Sequence, residues 1–435
     1  MSGKAFQKLP PGIKQLVYCK VKRKLKRKLQ TIYRKNKDDL RALILGIYPQ
    51  FVYKNIHKLE ETDIPIFVFH SVTPEYFEHQ MQYLSENNYR TLKSDELYDT
   101  ITGNIRPKPK SIVLTFDDGR ASLWTTAYPI LKKFGLFAIC FLLPSYIKNS
   151  KTLFPTLENV WSGNVDCSEI EKRELKEPLC SWQEISHMHA SGVVDFQSHT
   201  SFHHSIFVSS TIVDFLNPDF EPSFLNSDLN PVVRVQGKDS VLDNFDWGRP
   251  IYEWAPAMSS RKRYIEDECL SLECIRWVQR NGSISFFQKP DWRKELSGCV
   301  ADYVNRNGKS ERYLSADERY SEIYQDLYQS KLAIEVKLNK EVRHLCYPWF
   351  VGSDLSVQAS KDAGYVCNYW GILKRRTTNP VGVNPYYLAR ISDEYLLTLP
   401  GKGRNSLFQV LTDKIRRINR QKRNFGAHSQ LANES

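Results

Sequence analysis

One stretch, residues 111–119, reads Ser-Ile-Val-Leu-Thr-Phe-Asp-Asp-Gly and indicates both the fold and the chemistry of this chain. Its first half is almost continuously apolar, which is typical of a parallel strand buried on both faces of a sheet. Two adjacent carboxylates, Asp117 and Asp118, follow, and Gly119 permits a tight turn. Because side chains on successive residues diverge, one acid can hold a cation while the other handles a proton. A surface turn or a helix cap is the alternative, since Asp-Asp-Gly suits both.

Short apolar runs alternate with helical patterns on both sides of this stretch. Strands that alternate with helices predict the α/β class. Further apolar runs, predicted as strands, lie at residues 64–69, 136–142, 193–198 and 344–347. Segments with the apolar spacing of helices lie at residues 74–87, 121–134, 183–190 and 320–338.

Composition places the chain among ordinary globular proteins. Of its 435 residues, 41% are hydrophobic and 25% are charged, which excludes wholesale disorder, collagen and a small disulfide scaffold. Nine cysteines with no close C-x-x-C pair argue against a disulfide framework. The length allows two to three domains. We expect one main domain over residues 62–400, interrupted by a long insertion at 206–318 that is rich in Asn, Asp, Ser and Pro.

Two basic arms, residues 1–61 and 401–435, flank an acidic body. Residues 1–60 hold sixteen basic and three acidic side chains, and residues 401–435 hold eight and two. Apolar residues recur about every four positions from Ile13 to Ile32, which predicts an amphipathic helix on an anionic membrane surface. A solvated basic helix docked on the acidic body is the alternative. No nucleic acid is expected as a partner, because no recognised nucleic-acid module accompanies the charge.

Targeting signals are not visible in the sequence. The N-terminus lacks the charged and apolar regions of a secretory signal. No apolar run approaches the roughly 18 residues that cross a bilayer. We therefore expect a cytoplasmic protein, held at the inner face of the membrane where the basic arm binds lipid.

A second signal is the pair His199 and His203, which follows another predicted strand. The four-residue spacing is weak by itself, because ten histidines produce such pairs by chance. On a helical turn this spacing places two imidazoles on one side, where they can chelate one metal ion. A carboxylate from elsewhere would complete a site of two histidines and one Asp with an open position for water.

Together these two motifs resemble those of the polysaccharide deacetylases, carbohydrate esterase family four, also called the nodulation-type deacetylase domain. The resemblance implies a distorted (β/α) barrel of about seven parallel strands. It implies that Asp117 is the catalytic base and that a divalent metal, zinc or another transition metal, is held by Asp118, His199 and His203. The resemblance covers about 62–205 and 320–395. It is carried further by residues 181–184, 191–194, 346–349, 363–365 and 388–391.

The chain departs from the family pattern in its third motif and near its C-terminus. Many members have an arginine that pairs with the base, and here Cys346 holds that position while Phe350 replaces a glycine. No Leu-x-His near the C-terminus supplies a general acid. The branch that resembles poly-N-acetylglucosamine deacetylases has instead a strand ending in Tyr-His, and residues 66–70 match it with Phe for Tyr. The resemblance therefore implies His70 as the acid, with a core or helix-capping histidine as the alternative.

The predicted groups follow the carboxyl ends of strands, where the reactive groups of a parallel barrel gather. The expected reaction is hydrolysis of an N-acetyl group on a sugar, with a metal that polarises the carbonyl and activates water. Asp117 would take a proton from that water and His70 would protonate the departing amine. A backbone N–H near Tyr347 is expected to stabilise the oxyanion. The residues expected to contact the carbohydrate substrate are Tyr347, Pro348, Trp349 and Arg390.

Three alternatives stay open. The same fold could hydrolyse another C–N bond or an O-acetyl ester. The altered third motif also suits a glycan-binding protein without activity, and the basic arms suit a nucleic-acid-binding protein. The deacetylase hypothesis favours a polysaccharide, an oligosaccharide or a lipid-linked glycan as the substrate. The basic arm favours a glycan that is made at the inner leaflet for a surface polysaccharide.

Overall fold

The computed structural model describes residue 37 and residues 39–218, 232–235, 238–241 and 246–414. They form two compact units. The barrel unit comprises residues 47–203, 258–260 and 320–414, and the insertion unit comprises residues 204–257 and 261–319, with which residues 39–46 are grouped. Most of the predicted membrane-binding arm and the end of the basic tail lie outside the described residues. The membrane contact and the cytoplasmic location therefore stay predictions.

Twelve strands lie in the described part of the chain, and eight of them form one sheet in the barrel unit. In chain order they are β1 (Ile66–Phe69), β2 (Arg90–Thr91), β3 (Ser111–Asp118), β4 (Ala138–Leu142), β5 (Val194–Ser198), β6 (Ser205–Phe215), β7 (Val232–Val235), β8 (Lys238–Val241), β9 (Pro250–Pro256), β10 (His344–Cys346), β11 (Cys367–Tyr369) and β12 (Ile391–Ser392).

Seven strands of the large sheet lie side by side in the order β11-β10-β5-β4-β3-β1-β12, and each pairing between them is parallel. The short β2 pairs with the beginning of β3. The sheet curls into a half-barrel, and a parallel bridge between Tyr369 and Leu388 brings the chain before β12 against β11. The prediction of an α/β fold with about seven parallel strands is confirmed.

Helices connect most of these strands, and two of them differ from the predicted ranges by more than one residue. The helix predicted over 121–134 contains a wide π-helical turn, Leu123–Ala127, before regular helix begins. Pro129 accounts for this turn, because it has no N–H to continue the regular hydrogen-bond ladder. The helix predicted over 320–338 begins at Ala316. The α-helices that have both ends within the described residues are α1 (Gln50–Tyr53), α2 (Pro74–Glu86), α3 (Ser94–Thr102), α4 (Tyr128–Phe134), α5 (Leu157–Trp161), α6 (Cys167–Lys176), α7 (Trp182–Ala190), α8 (Glu268–Arg280), α9 (Trp292–Asn307), α10 (Ala316–Leu338) and α11 (Asp354–Asp362).

None of the helices in the described residues combines the length and the apolar character needed to span a membrane.

The interior of the half-barrel is filled by apolar side chains from nearly every strand of the sheet. All eight residues of β3 are buried, including its two terminal carboxylates. Burial of this kind fixes the strands relative to one another, so the residues at their carboxyl ends are held on a rigid platform. The core includes Ile66, Val113, Ile139, Phe141, Cys346, Cys367 and Tyr369.

The insertion unit has its own core. Strands β6 and β9 pair in an antiparallel hairpin with shifts in register along its length. Helices α8 and α9 pack against each other through an apolar cluster that also includes a residue of β6. The buried members of this cluster include Phe215, Leu270, Cys274, Val278, Leu296 and Cys299.

Asp63, just before β1, is a partly buried carboxylate that affects the pH dependence of stability. Its Oδ1 accepts a hydrogen bond from the Asn379 N–H at 2.7 Å. Burial raises the pKa of its carboxyl to about 6, above the value of an unfolded chain. The folded state therefore holds this proton more tightly than the unfolded state, so ionisation favours unfolding. The stability that the protonated Asp63 contributes to the folded state is lost as the pH rises from about 4 to about 7.

We expect Asp63→Asn to keep the acceptor oxygen and remove this pH dependence. The free energy of unfolding of the variant should exceed that of wild type by ~1 kcal/mol at neutral pH. The difference is this small because the Asp63 side chain is partly solvated. Near pH ~4 the two proteins should be almost equally stable. Urea denaturation at the two pH values measures the difference. The exposed Glu341→Gln is the matched control. An equal difference between Asp63→Asn and wild type at both pH values would contradict this assignment.

Candidate metal centre

The acidic and histidine side chains predicted to form the site lie at the carboxyl ends of strands in the barrel unit, where the chain leaves the buried core. His70 directly follows β1, Asp117 and Asp118 end β3, and His199 directly follows β5. The third motif begins at the end of β10. Because these strands are parallel neighbours, their carboxyl ends meet on one rim of the half-barrel.

Asp118, His199 and His203 come together as one cluster. The Oδ1 atom of Asp118 lies 3.6 Å from Nε2 of His199 and 3.8 Å from Nε2 of His203. One ligand atom from each of the three buried residues lies within 4.8 Å of the others. Ligands about 2.0–2.2 Å from one zinc ion are separated by about 3–4 Å, so the spacing fits a shared divalent metal.

The backbone around this cluster adopts conformations that are uncommon for residues other than glycine. Asp118, Thr200 and His203 have φ of 70°, 69° and 48°. Gly119 has φ of 71°, and a Cβ there would lie 2.8 Å from Cδ2 of Leu142, so any other residue would add backbone strain and displace that side chain. Such strain persists only where the surrounding structure enforces it, and it concentrates at functional sites. Here it directs the carboxylate and the two imidazoles toward one point.

Hydrogen bonds set the orientation of the ligand atoms. Nδ1 of His199 donates to the Cys346 carbonyl oxygen at 2.9 Å, which directs Nε2 toward Asp118. Arg120 donates to Oδ2 of Asp118 from Nε at 3.1 Å and forms an ion pair through Nη2 at 3.0 Å. Among the described residues, the buried Oδ1 of Asp118 has no hydrogen-bond partner. A buried carboxylate oxygen without a donor is expensive, and a bound cation would satisfy it.

The charge states of these ligands also suit a metal. Burial would raise the pKa of the Asp118 carboxyl, but the neighbouring imidazoles and Arg120 lower it below its ordinary value. Burial lowers the pKa of His203 to about 4. An ionised carboxylate and a neutral imidazole are the forms that bind metal. The arrangement therefore fits a divalent ion at neutral pH.

A second set of possible ligands, Asp117, His199 and Cys346, lies in the same place. It fits a metal less well, because both oxygens of Asp117 are already paired with Arg390. Burial also raises the pKa of the Cys346 thiol well above its ordinary value, which disfavours the thiolate that binds metal.

Arg390 is the partner of Asp117, and its contact with substrate stays a prediction. Its guanidinium is fully buried and donates to both carboxylate oxygens of Asp117, at 2.6 and 2.9 Å. Burial would raise the pKa of the Asp117 carboxyl, but the Arg390 charge holds it well below its usual range. The family arginine that Cys346 replaces in the third motif thus has a counterpart at the edge of β12. The Cys346 thiol itself lies 3.7 Å from Oδ1 of Asp117.

His70 lies on the accessible side of Asp117. Its Nε2 is 3.9 Å from Oδ2 of Asp117, and its side chain is 49% exposed. Nε2 of His199 is also 3.9 Å from the same oxygen. Asp117 Oδ2 therefore lies between a half-exposed imidazole and a member of the candidate metal cluster.

The residues of the third motif lie at different depths. Tyr347 is buried, its N–H donates to the Tyr369 carbonyl, and its hydroxyl accepts from Asn368. The contact of Tyr347 with substrate and the oxyanion role of a backbone N–H near it stay predictions. Pro348 is also buried. Trp349 is half-buried at φ 58° with its ring centroid 5.0 Å from that of His203, so it is the member of the motif that borders the cluster.

The loop that carries the two histidines is anchored by a residue that the sequence analysis missed. Asp326 of α10 accepts from the Ser201 N–H at 2.5 Å through Oδ1, and its carbonyl accepts from the Ser201 hydroxyl at 2.9 Å. No sequence pattern connects these positions, which lie 125 residues apart. Arg120 was also missed, although its place two residues after Asp118 was a visible signal.

Comparison with known protein families gives a match that includes the residues of this site. A family model described as polysaccharide deacetylase matches residues 104–227. The matched range contains the two carboxylates at the end of β3 and both histidines of the cluster. The predicted resemblance to this family is confirmed.

Curated relatives match short parts of the chain. A protein named putative polysaccharide deacetylase YxkH from Bacillus subtilis is 34% identical over 88 residues, which cover 18% of this chain and 32% of the relative. The poly-beta-1,6-N-acetyl-D-glucosamine N-deacetylase of Escherichia coli K12 is 30% identical over 145 residues, which cover 33% of this chain and 20% of that protein. The chain thus spans about a third or less of the length of these relatives.

Solved structures also align with this chain, at low sequence identity. A de-N-acetylase from Aggregatibacter actinomycetemcomitans aligns with a TM-score of 0.45 and 18% identity over 76% of this chain and 94% of that one. IcaB from Ammonifex degensii aligns with a TM-score of 0.44 and 15% identity over 80% of this chain and 100% of that one.

Proposed function

Because residues 104–227 match the polysaccharide deacetylase family, we propose that this chain is a metal-dependent hydrolase that removes N-acetyl groups from the sugars of a glycan. The observation that carries the proposal is the convergence of Asp118, His199 and His203 within 4.8 Å, next to a second buried carboxylate. Two carboxylates in such different surroundings can take different roles, as hydrolysis requires.

Asp118, His199 and His203 would hold the metal. A divalent ion there would polarise a carbonyl oxygen and lower the pKa of a water molecule. Oxygen and imidazole ligands in a three-residue set with an open position are typical of catalytic zinc. Other divalent transition metals accept the same ligands.

Asp117 would act as the base. The Arg390 guanidinium keeps its carboxylate ionised and fixes its plane through two hydrogen bonds. Oδ2 is the oxygen nearer both His70 and His199. A proton from the attacking water would therefore pass to Oδ2, which requires no reorientation of the carboxylate.

His70 would act as the acid. Its Nε2 is close to Asp117 and its side chain is half-exposed, so it can exchange protons with solvent and reach a substrate. The imidazolium would give its proton to the sugar nitrogen as the C–N bond breaks, because an amine leaves more readily than an amide anion.

The proposed substrate is an N-acetylated amino-sugar polymer or oligosaccharide. The Escherichia coli and Staphylococcus aureus relatives are named for poly-beta-1,6-N-acetyl-D-glucosamine, which favours this class. Trp349 would be one aromatic side chain that meets the sugar, because it is half-buried beside His203. Zinc and a carbohydrate are thus the proposed cofactor and partner.

We expect acetate release from a β-1,6-linked N-acetylglucosamine oligosaccharide, and we expect His70→Asn to slow it by about 10²–10³. The exposed His79→Asn on α2 is the matched control and should keep wild-type activity. Acetylated xylan, offered in parallel, tests the alternative of an O-acetyl esterase. Release of acetate from acetylated xylan but not from the oligosaccharide would favour the esterase. Release of acetate from neither substrate would favour a glycan-binding protein.

A further inference from the structure

The insertion unit contains an open cavity that the proposed reaction does not use. It lies between α8 and α9 and has a volume of about 420 Å³, which is near the lower end of the range for small-molecule sites. The side chains around it are Glu273, Trp277, Cys299, Asp302, Asn305 and Arg306.

Trp277 is exposed on a helix whose neighbouring residues point into the core. Cys274 and Val278 are completely buried, whereas Trp277 is 38% exposed and lies outside the apolar cluster of α8 and α9. Core packing therefore does not account for this indole. Exposed indole faces stack against flat ligands with apolar faces, and the C–H faces of sugars are such surfaces.

Polar and charged side chains that can bind hydroxyl groups surround the Trp277 indole. Arg306 is held in place by an ion pair with Glu273 and by donation from its Nε to the Asp302 carbonyl at 3.2 Å. Among the described residues, the side chains of Asp302 and Asn305 have no hydrogen-bond partner. One aromatic platform, two carboxylates, an amide and a fixed guanidinium can thus bind hydroxyl groups by planar hydrogen bonds.

The charge of the cavity selects among sugars. Two carboxylates, Glu273 and Asp302, outweigh the single Arg306, so the cavity favours a cation over a phosphate or a sugar acid. A sugar that carries an ammonium group satisfies the carboxylates, and its charge is also attracted to the face of an indole. De-N-acetylation creates an ammonium group of this kind on the glycan.

We propose that this cavity binds glucosamine units of a partly de-N-acetylated glycan, an inference that rests on the proposed function for its choice of ligand. The sugar ring stacks on Trp277, its ammonium group pairs with Asp302, and Asn305 and Arg306 bind hydroxyl oxygens. The insertion unit then retains the modified chain while further N-acetyl groups are removed.

Calorimetric titration of the full chain with a β-1,6-linked glucosamine tetrasaccharide tests this site, with its fully N-acetylated counterpart as a second ligand. All proteins carry His199→Ala, which removes the contribution of the metal centre. We expect the glucosamine form to bind more tightly. Trp277→Ala should weaken its binding about tenfold, and Asp302→Asn should abolish the preference for the glucosamine form.

The matched control is Leu272→Ala, which removes a 47% exposed side chain from the same helix without touching the cavity, and it should bind as before. Unchanged affinity in Trp277→Ala, with an unchanged circular dichroism spectrum, would overturn the inference. Acetate release is measured separately on the chain that keeps His199. Binding that depends on Trp277, together with no acetate release from the chain that keeps His199, would overturn only the proposed function. Acetate release from that chain, together with binding that ignores Trp277, would overturn only this inference.

Discussion

Asp117→Asn is expected to lower the rate constant for acetate release by about 10³–10⁴ while one metal ion per chain is still bound. The rate falls because the amide group of Asn cannot take a proton from water. The metal is retained because residue 117 is not part of the cluster of Asp118, His199 and His203. Loss of activity without loss of metal is the signature of a base. The measurement is acetate release under substrate saturation, with metal content determined on the same samples.

This substitution also breaks a buried ion pair, and the experiment must separate that effect. Without the Asp117 carboxylate, the fully buried Arg390 guanidinium has no counter-charge, which costs about 3–5 kcal/mol of unfolding free energy. The double variant Asp117→Asn with Arg390→Met removes both charges and should regain part of this stability. It should stay inactive. Recovery of activity in the double variant would contradict the role of Asp117 as base.

His199→Ala is expected to weaken metal binding more than 100-fold and to abolish acetate release with it. The imidazole is buried and oriented by the Cys346 carbonyl, so its loss removes a preformed ligand that no described neighbour replaces. Titration of the metal-free protein with Co²⁺, followed by its visible absorption, measures the affinity. His79→Ala, an exposed histidine on α2, controls for the loss of any imidazole.

Two outcomes would contradict the assignment of His199. Wild-type affinity for Co²⁺ in the variant would place the metal elsewhere. Full activity in a variant that no longer binds metal would mean that hydrolysis does not depend on the ion.

The sequence was sufficient to predict the parts of the site that local patterns encode. Asp117 and Asp118 end a strand whose apolar residues identify it as buried, and the His199–His203 spacing lies in the turn after another such strand. The parallel sheet then brings these ends together, as its strand order requires. Each of these steps depends on residues that are close in the chain or on a general property of parallel sheets.

The parts that local patterns do not encode depend on contacts between residues distant in sequence. The position of Arg390 just before the last strand does not reveal that its side chain turns inward to Asp117, 273 residues away in sequence. Asp326 was not found at all, because a carboxylate on a charged helix has no sequence pattern that relates it to Ser201. The hydrogen bonds of the buried Tyr347 to residues of β11 also have no pattern in the sequence.

The most direct test of the metal-centred account is to remove all metal from the wild-type chain with a chelator and return zinc in measured steps. Acetate release should be absent from the metal-free protein and should rise linearly until one zinc ion per chain is present, with no further gain. Unchanged activity in the metal-free protein, or a rise that does not end near one equivalent, would contradict the account.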